Sequence, residues 1–217
     1  MQVFDRGLKR RLPTMLGGDP RRIRMAYSLL FALPGTPSIF YGEEIGMGEN
    51  LAEDGRMAVR TPMQWTAEDG GGFSSAERRS LVSPLPEDGY GPAHVNVADQ
   101  RSEPDSHYSF IRGLIYLYRR HPELGWGSVE IVDQPDEAVL VLACRWEEGL
   151  VITAHNLSQD GRTVEISVAG VEKGSRLVDL WEQRSLEEDP TKKFELQLDG
   201  YGYRRLRVQS EEDHRLY

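Results

Sequence analysis

A single cysteine, Cys144, stands among 217 residues, so the chain cannot build an internal disulfide framework. No apolar run approaches the roughly 20 residues that a membrane-spanning helix needs, which sets a membrane partner aside. The opening MQVFDRGLKRRLP carries charge with no apolar stretch behind it, so no secretory signal is expected and a cytoplasmic location is the default. Basic residues are also short: 26 Lys and Arg against 35 Asp and Glu argue against a nucleic-acid partner. The histidines, at 94, 107, 121, 155 and 214, lack the i, i+4 spacing of a helical zinc site and have no cysteine partners. No metal site is expected. A GxSxG elbow, a phosphate-cradling glycine loop and a cysteine-nucleophile constellation are missing too, and no cofactor is expected.

What is present is enough apolar residue, 39% of the chain, for a real core. Asp19-Pro20 reads as a helix start, with Asp capping free N–H groups and Pro harmless at the first helical position. Ile23, Ala26, Tyr27, Leu30 and Phe31 then recur at helical spacing until Pro34-Gly35. The short apolar run Ser38-Ile39-Phe40-Tyr41, closed by Gly42, predicts a strand buried on both faces, as in a parallel sheet. From Gly42 to about Pro104 no periodic pattern lasts, and loops of that length are usually functional. A second helix is predicted after Asp105 or Ser106. Tyr108, Ile111, Ile115 and Tyr118 form its stripe, with Phe110, Leu114 and Leu117 beside it, and Pro122 ends it.

Beyond Trp126 the texture changes to alternation in short segments: 129–131, 138–145, 150–155, 163–168, 177–180, 194–198 and 203–208. Glu148-Gly149, Asp160-Gly161 and Asp199-Gly200 punctuate them, which predicts an antiparallel sandwich. The fold class is therefore α/β plus all-β, divided as residues 1–125, 126–209 and a tail at 210–217.

Glu43-Glu44 is a carboxylate pair leaving the predicted strand, but neighbours in an extended chain point to opposite faces and cannot flank one scissile bond. One of them is expected to satisfy loop N–H groups or an arginine, the other to be solvated. Cys144, inside Val139–Cys144, reads as a small core residue. Gly55 to Trp65 differs, because it sets Arg56, Arg60 and Trp65 on an irregular loop after a predicted strand. An indole stacks on a sugar ring, and arginine gives paired hydrogen bonds to hydroxyls or carboxylates. The same residues equally allow Trp65 as a core plug and Arg60 as an internal ion-pair partner.

Leu33-Pro34-Gly35-Thr36-Pro37-Ser38-Ile39-Phe40-Tyr41-Gly42-Glu43-Glu44-Ile45-Gly46-Met47, followed by Val59-Arg60-Thr61-Pro62-Met63-Gln64-Trp65, resembles the eighth-strand region of glycoside hydrolase family 13, the α-amylase superfamily. Gly70 to Ser74, Tyr90-Gly91, Val95-Asn96-Val97, Gln100, Arg119 to Glu123 and Gly125-Trp126-Gly127 extend the resemblance over most of residues 7 to 127. Within the family the chain is most similar to trehalose synthases (maltose α-D-glucosyltransferases) and related α-glucosidases. The resemblance implies the last strand-and-helix portion of a (β/α)8 TIM barrel followed by a C-terminal antiparallel β-sandwich. It implies Arg60 at the glucose subsite of an α-glucoside or maltose-type sugar. Arg56, Gln64, Trp65, Tyr41 and Glu43 are weaker candidates for shaping that rim.

It also implies what this stretch does not carry. Family members cleave with retention, using an aspartate nucleophile, a glutamic acid/base and a third aspartate in an Asn-His-Asp motif, all before the portion represented here. The sequence contains no Asn-His-Asp. No residue is therefore expected to be catalytic. A barrel closes only when its first and last strands pair, so this portion alone leaves an open edge. Three readings follow: a portion of a trehalose-synthase-like enzyme, inactive alone; a non-catalytic carbohydrate-binding or interaction module; or a subunit that complements a separate N-terminal barrel polypeptide. For the module, Trp126, Trp146, Trp181 and Tyr201 are the available sugar-stacking residues, although their place within or beside alternating strands reads as core.

Overall fold

The computed structural model describes residues 8–186 and 189–210. The expected tail lies, from residue 211 on, outside the described residues. By packing the chain divides into two units, Met1–Ile23 with Ser38–Gly113, and Arg24–Pro37 with Leu114–Tyr217. The sequence division was drawn at 125/126 instead. The difference arises because Ala32, Leu117 and Leu124 share one buried cluster with strand residues Leu142, Cys144 and Val151.

The second unit is built on eight strands: β1 (Ser128–Ile131), β2 (Val139–Trp146), β3 (Gly149–Asn156), β4 (Arg162–Ile166), β5 (Arg176–Asp179), β6 (Arg184–Ser185), β7 (Phe194–Leu198) and β8 (Tyr203–Gln209). They form an antiparallel sheet in the order β1-β2-β3-β8-β5-β6 and a second sheet of β4 and β7. Both sheets feed one core. Val141, Ala143, Ile152, Ala154 and Leu206 from the first meet Val164, Ile166, Phe194, Leu196 and Leu198 from the second. The β2–β3 hairpin pairs Trp146 with Gly149, so its turn is Glu147-Glu148, with Glu147 at φ 50. Gly149 belongs to the strand rather than the turn. A Cβ there would run into the buried Glu123 carboxylate, so close approach, not turn geometry, favours the glycine.

Every residue of β3 is buried, which the alternating pattern does not announce. Leu150, Ile152 and Ala154 enter the two-sheet core, while Val151 joins Ala32, Leu117 and Leu124 on the opposite face. That second face also buries polar groups: Thr153, His155, Arg205 and Arg207. Ser28 carries part of it. Its hydroxyl accepts from Arg205 Nη1 at 2.9 Å and shares a hydrogen bond with His155 Nε2 at 2.9 Å, while its carbonyl accepts from Arg205 Nη2 at 2.6 Å. Cys144 is a core residue as expected, and burial, with Glu123 adding to it against Arg205, pushes its thiol up to about 11.

Burial, reinforced by the charge of Arg205, holds His155 down at about 3. In the unfolded chain the same imidazole takes its proton near pH 6.5. Between those values the unfolded state binds more protons, so this contribution to stability is complete above about pH 6.5 and is lost as pH falls through the window. The slope approaches about 1.4 kcal/mol per pH unit. Urea midpoints from pH 7 to pH 5 should therefore fall more steeply for the wild type than for His155→Gln; parallel curves would remove His155 from the account.

Short helices and turns make up the first unit. α1 is Leu12–Met15, and α2, Pro20–Leu30, begins here and runs on into the second unit. Asp19 caps α2, its Oδ1 accepting from Arg21 N at 2.9 Å. α3, Val97–Ser102, falls inside the stretch without periodic pattern; Asn96 caps it by accepting from Asp99 N at 2.9 Å. α4, His107–Arg120, is capped by Ser106, whose Oγ accepts from Ser109 N at 3.1 Å. Its buried stripe is Phe110, Ile111, Leu114 and Leu117, and Ile115 is exposed instead. Pro122 opens a last short helix, α5 (Pro122–Gly125), which belongs to the second unit.

The strand predicted at 38–41 is corrected. Ser38 to Tyr41 joins no ladder among the described residues, and Phe40 and Tyr41 are exposed. A parallel strand exists only with neighbours to accept its N–H groups, and every described strand lies at 128–209. Among the described residues no helix is long and apolar enough to cross a membrane.

Candidate functional site

The segment that follows Ser38–Tyr41 is shaped by Gly42, whose φ of 83 lies in the left-handed region. A Cβ at that position would meet Met47 Sδ at 2.4 Å, and Met47 is fully buried beside Ile45 and Met63. The turn so formed is a short 3-10 helix, Glu43–Ile45, rather than extended chain. Glu43 accepts from Phe40 N at 3.3 Å, and its carbonyl is 2.9 Å from His107 Nε2. The Glu43-Glu44 pair thus separates: one carboxylate serves loop N–H groups, as expected, and Glu44 lines a cleft.

That cleft, of about 730 Å³, brings together Tyr41, Glu44, Arg60, Trp65 and Phe73. The size suits a small ligand. Tyr41 is fixed at its far end, its hydroxyl donating to Thr61 O at 2.8 Å. Trp65 is held by its backbone, with N donating to Gly71 O at 2.7 Å and O accepting from Ala98 N at 3.0 Å, while 48% of the residue stays accessible. Trp65 is therefore not a core plug. Arg60 is exposed, and among the described residues its guanidinium takes no internal ion pair. An exposed indole on a fixed backbone and an unengaged guanidinium, lining one cleft, can stack a sugar ring and hydrogen-bond its hydroxyls.

The other weaker candidates lie elsewhere. Gln64 is fully buried and braces the loop: its Nε2 donates to Tyr90 O at 3.1 Å and to Val95 O, and its backbone carbonyl accepts from Val97 N at 3.0 Å. Arg56 sits exposed in a 3-10 turn, Gly55–Val59, and neither it nor Glu43 lines the cleft. Arg11 is a residue that sequence reasoning missed. It is 2% exposed, donates to Tyr41 O and Val59 O at 2.7 Å each, and lies 5.2 Å from the Tyr41 ring centre, tying two segments of the rim. Nothing in Arg6-Gly7-Leu8-Lys9-Arg10-Arg11 singles it out. Among the described residues no group of three His, Cys, Asp or Glu is placed to hold a metal ion.

The family model for the alpha amylase catalytic domain matches residues 5–127. The chain belongs to the α-amylase family, glycoside hydrolase family 13. A second model, for the sucrose hydrolase-like C-terminal domain, matches residues 149–207 and so takes in β3 to β8. The chain is similar to a trehalose synthase of Thermus thermophilus, 39% identical over 155 residues, which is 70% of this chain and 16% of that protein. A trehalose synthase/amylase of Mycobacterium tuberculosis is 36% identical over 166 residues, 75% of this chain and 28% of its own. The chain thus spans well under a third of the length of these relatives. In fold it resembles the crystal structure of a trehalose-6-phosphate hydrolase of Bacillus licheniformis, with a TM-score of 0.71 and 17% identity over 93% of this chain and 41% of that one. The cleft lies wholly within the part matched to the family's catalytic domain.

Proposed function

We propose that this chain is the C-terminal portion of a trehalose-synthase-like enzyme: the eighth-strand region, long loop and last helix of a (β/α)8 barrel, followed by a C-terminal β-sandwich. In the complete enzyme, a glucosyl-enzyme forms with retention. Released glucose then reattacks in a new orientation, isomerising maltose to trehalose, or water intervenes and the bond is hydrolysed. This chain supplies the sugar rim. Arg60 contacts the glucose hydroxyls directly, Trp65 offers an apolar face to the ring, and Tyr41 shapes the edge. A preceding barrel portion supplies the three carboxylates, either in the same polypeptide or as a separate N-terminal chain bound to this one, in the cytoplasm.

The observation that carries this reading is the composition of the cleft. It holds an exposed arginine and a backbone-pinned tryptophan, but one carboxylate, Glu44, where retaining chemistry uses two about 5 Å apart. The pure 217-residue chain is accordingly expected to give no turnover of maltose, trehalose or an aryl α-glucoside. Turnover that Arg60→Ala abolishes would overturn this division of labour. The reading as a carbohydrate-binding module gains from a separate observation: Trp126, Trp146 and Trp181 are 76%, 39% and 44% exposed, contrary to the expectation that they are core.

A further inference from the structure

We infer that the second unit carries its own saccharide-binding site, a cleft built around Trp181 and the Arg204 guanidinium, which takes a neutral α-linked glucose oligosaccharide. The cleft has a volume of about 370 Å³, and all of its walls come from this unit. It opens where β5 ends. Asp179, 1% exposed, accepts from the backbone N of Trp181 and of Glu182 through Oδ1, each at 2.9 Å. That pair of bonds fixes the main chain from which the indole projects. Through Oδ2 the same carboxylate accepts from Arg204 Nη1 at 2.9 Å, and Arg204 Nη1 also donates to Glu182 Oε1 at 2.8 Å. Arg184 engages the other oxygen of Glu182.

This arrangement selects a class of ligand. A free ion gains little, because Asp179 and Glu182 are already neutralised by guanidinium groups, and a phosphate would meet those carboxylates at close range. A purely apolar ligand would strip water from charged walls without replacing its hydrogen bonds. A sugar suits both halves of the surface. Its hydroxyls donate to remaining carboxylate lone pairs and accept from guanidinium N–H groups, and its C–H face lies on the indole. The exposed Gln197 amide and Asp199 carboxylate, which also line the cleft, make no side-chain bond within the described residues, and they add a donor and acceptors. The choice of α-linked glucose rests on the proposed function; the existence of a saccharide site does not.

Calorimetric titration of the full chain with maltoheptaose tests the inference. Binding in the millimolar range or tighter is expected, with about a tenfold loss for Trp181→Ala and a several-fold loss for Gln197→Ala, at unchanged melting temperature. Arg56→Ala, in the other unit and off its cleft, should leave this binding within about twofold. Absence of binding to any saccharide, or affinity that survives both Trp181→Ala and Gln197→Ala, overturns the site. Binding lost on Trp65→Ala alone also overturns it, while supporting the rim at Arg60. Cellohexaose bound at this cleft in preference to maltoheptaose overturns the α-linked assignment and the reading on which it rests, and leaves the Trp181 cleft standing as a saccharide site.

Discussion

Arg205→Ala is expected to destabilise the second unit by about 2–3 kcal/mol, a large fraction of a marginal domain's stability. The reason lies at the C-terminal end of α2. Ala32 N turns to Leu29 O at 2.9 Å, so the Ser28 carbonyl is left outside the helical ladder and depends on Arg205 Nη2 at 2.6 Å. Truncation removes both bonds to Ser28 and leaves its carbonyl buried without that donor. It also removes a cation from a helix C-terminus, where one is favourable. Burial lowers the Arg205 guanidinium to about 10, so it still carries its charge at neutral pH. Lysine should restore less than half of the loss, because a point charge cannot serve the hydroxyl and the carbonyl as a fork does. Urea unfolding followed by tryptophan fluorescence checks the series. A change below about 1 kcal/mol for Arg205→Ala would mean that this layer is not held by the arginine.

The largest functional effect is expected at Arg60. In the complete enzyme Arg60→Ala should lower kcat/KM for maltose about 100-fold, equivalent to about 2.7 kcal/mol of transition-state stabilisation. Trp65→Ala should act mainly on KM, by about tenfold, since a stacking surface holds the ring in ground and transition states alike. Arg56→Ala should stay within about twofold, because its 3-10 turn lies off the cleft. The contrast between two arginines four residues apart separates a sugar contact from a general effect of positive charge on the loop. Equal effects of Arg56→Ala and Arg60→Ala on kcat/KM would remove the special role of Arg60.

Much of the second unit was legible in the sequence. β2, β3, β7 and β8 coincide with the alternating segments to within about a residue, since alternation follows directly from one face meeting a core. The burial of the opposite face is not legible for the same reason. His155, Arg205 and Arg207 look like solvent positions in a strand pattern, and only tertiary partners, Ser28 for two of them and Glu123 at 3.6 Å from Arg207, make their burial sustainable. Two-residue β6 and six-residue α3 are too short for periodicity to announce. Ser38–Tyr41 has the composition of a strand, but pairing is a property of neighbours and not of composition. In the cleft, Arg60 and Trp65 were singled out by their residue types on an irregular loop, whereas Tyr41 was nominated through the resemblance. Gln64 was nominated by its place in the same motif, although its buried amide serves the loop backbone. Trp126, Trp146 and Trp181, named as available stacking residues, were read as core because strand-adjacent aromatics usually are, whereas all three are exposed and the rings of Trp126 and Trp146 lie 6.4 Å apart.

The central claim is that this chain completes a sugar site whose reacting carboxylates lie on a preceding barrel portion. Purification from its source through a C-terminal tag, with mass spectrometry of the captured material and an assay on maltose, tests it most directly. A segment bearing Asn-His-Asp is expected to be recovered with this chain, in the same polypeptide or tightly bound, together with maltose turnover that Arg60→Ala reduces about 100-fold. A stable 217-residue species recovered without such a segment, or one that turns over maltose by itself, would contradict it.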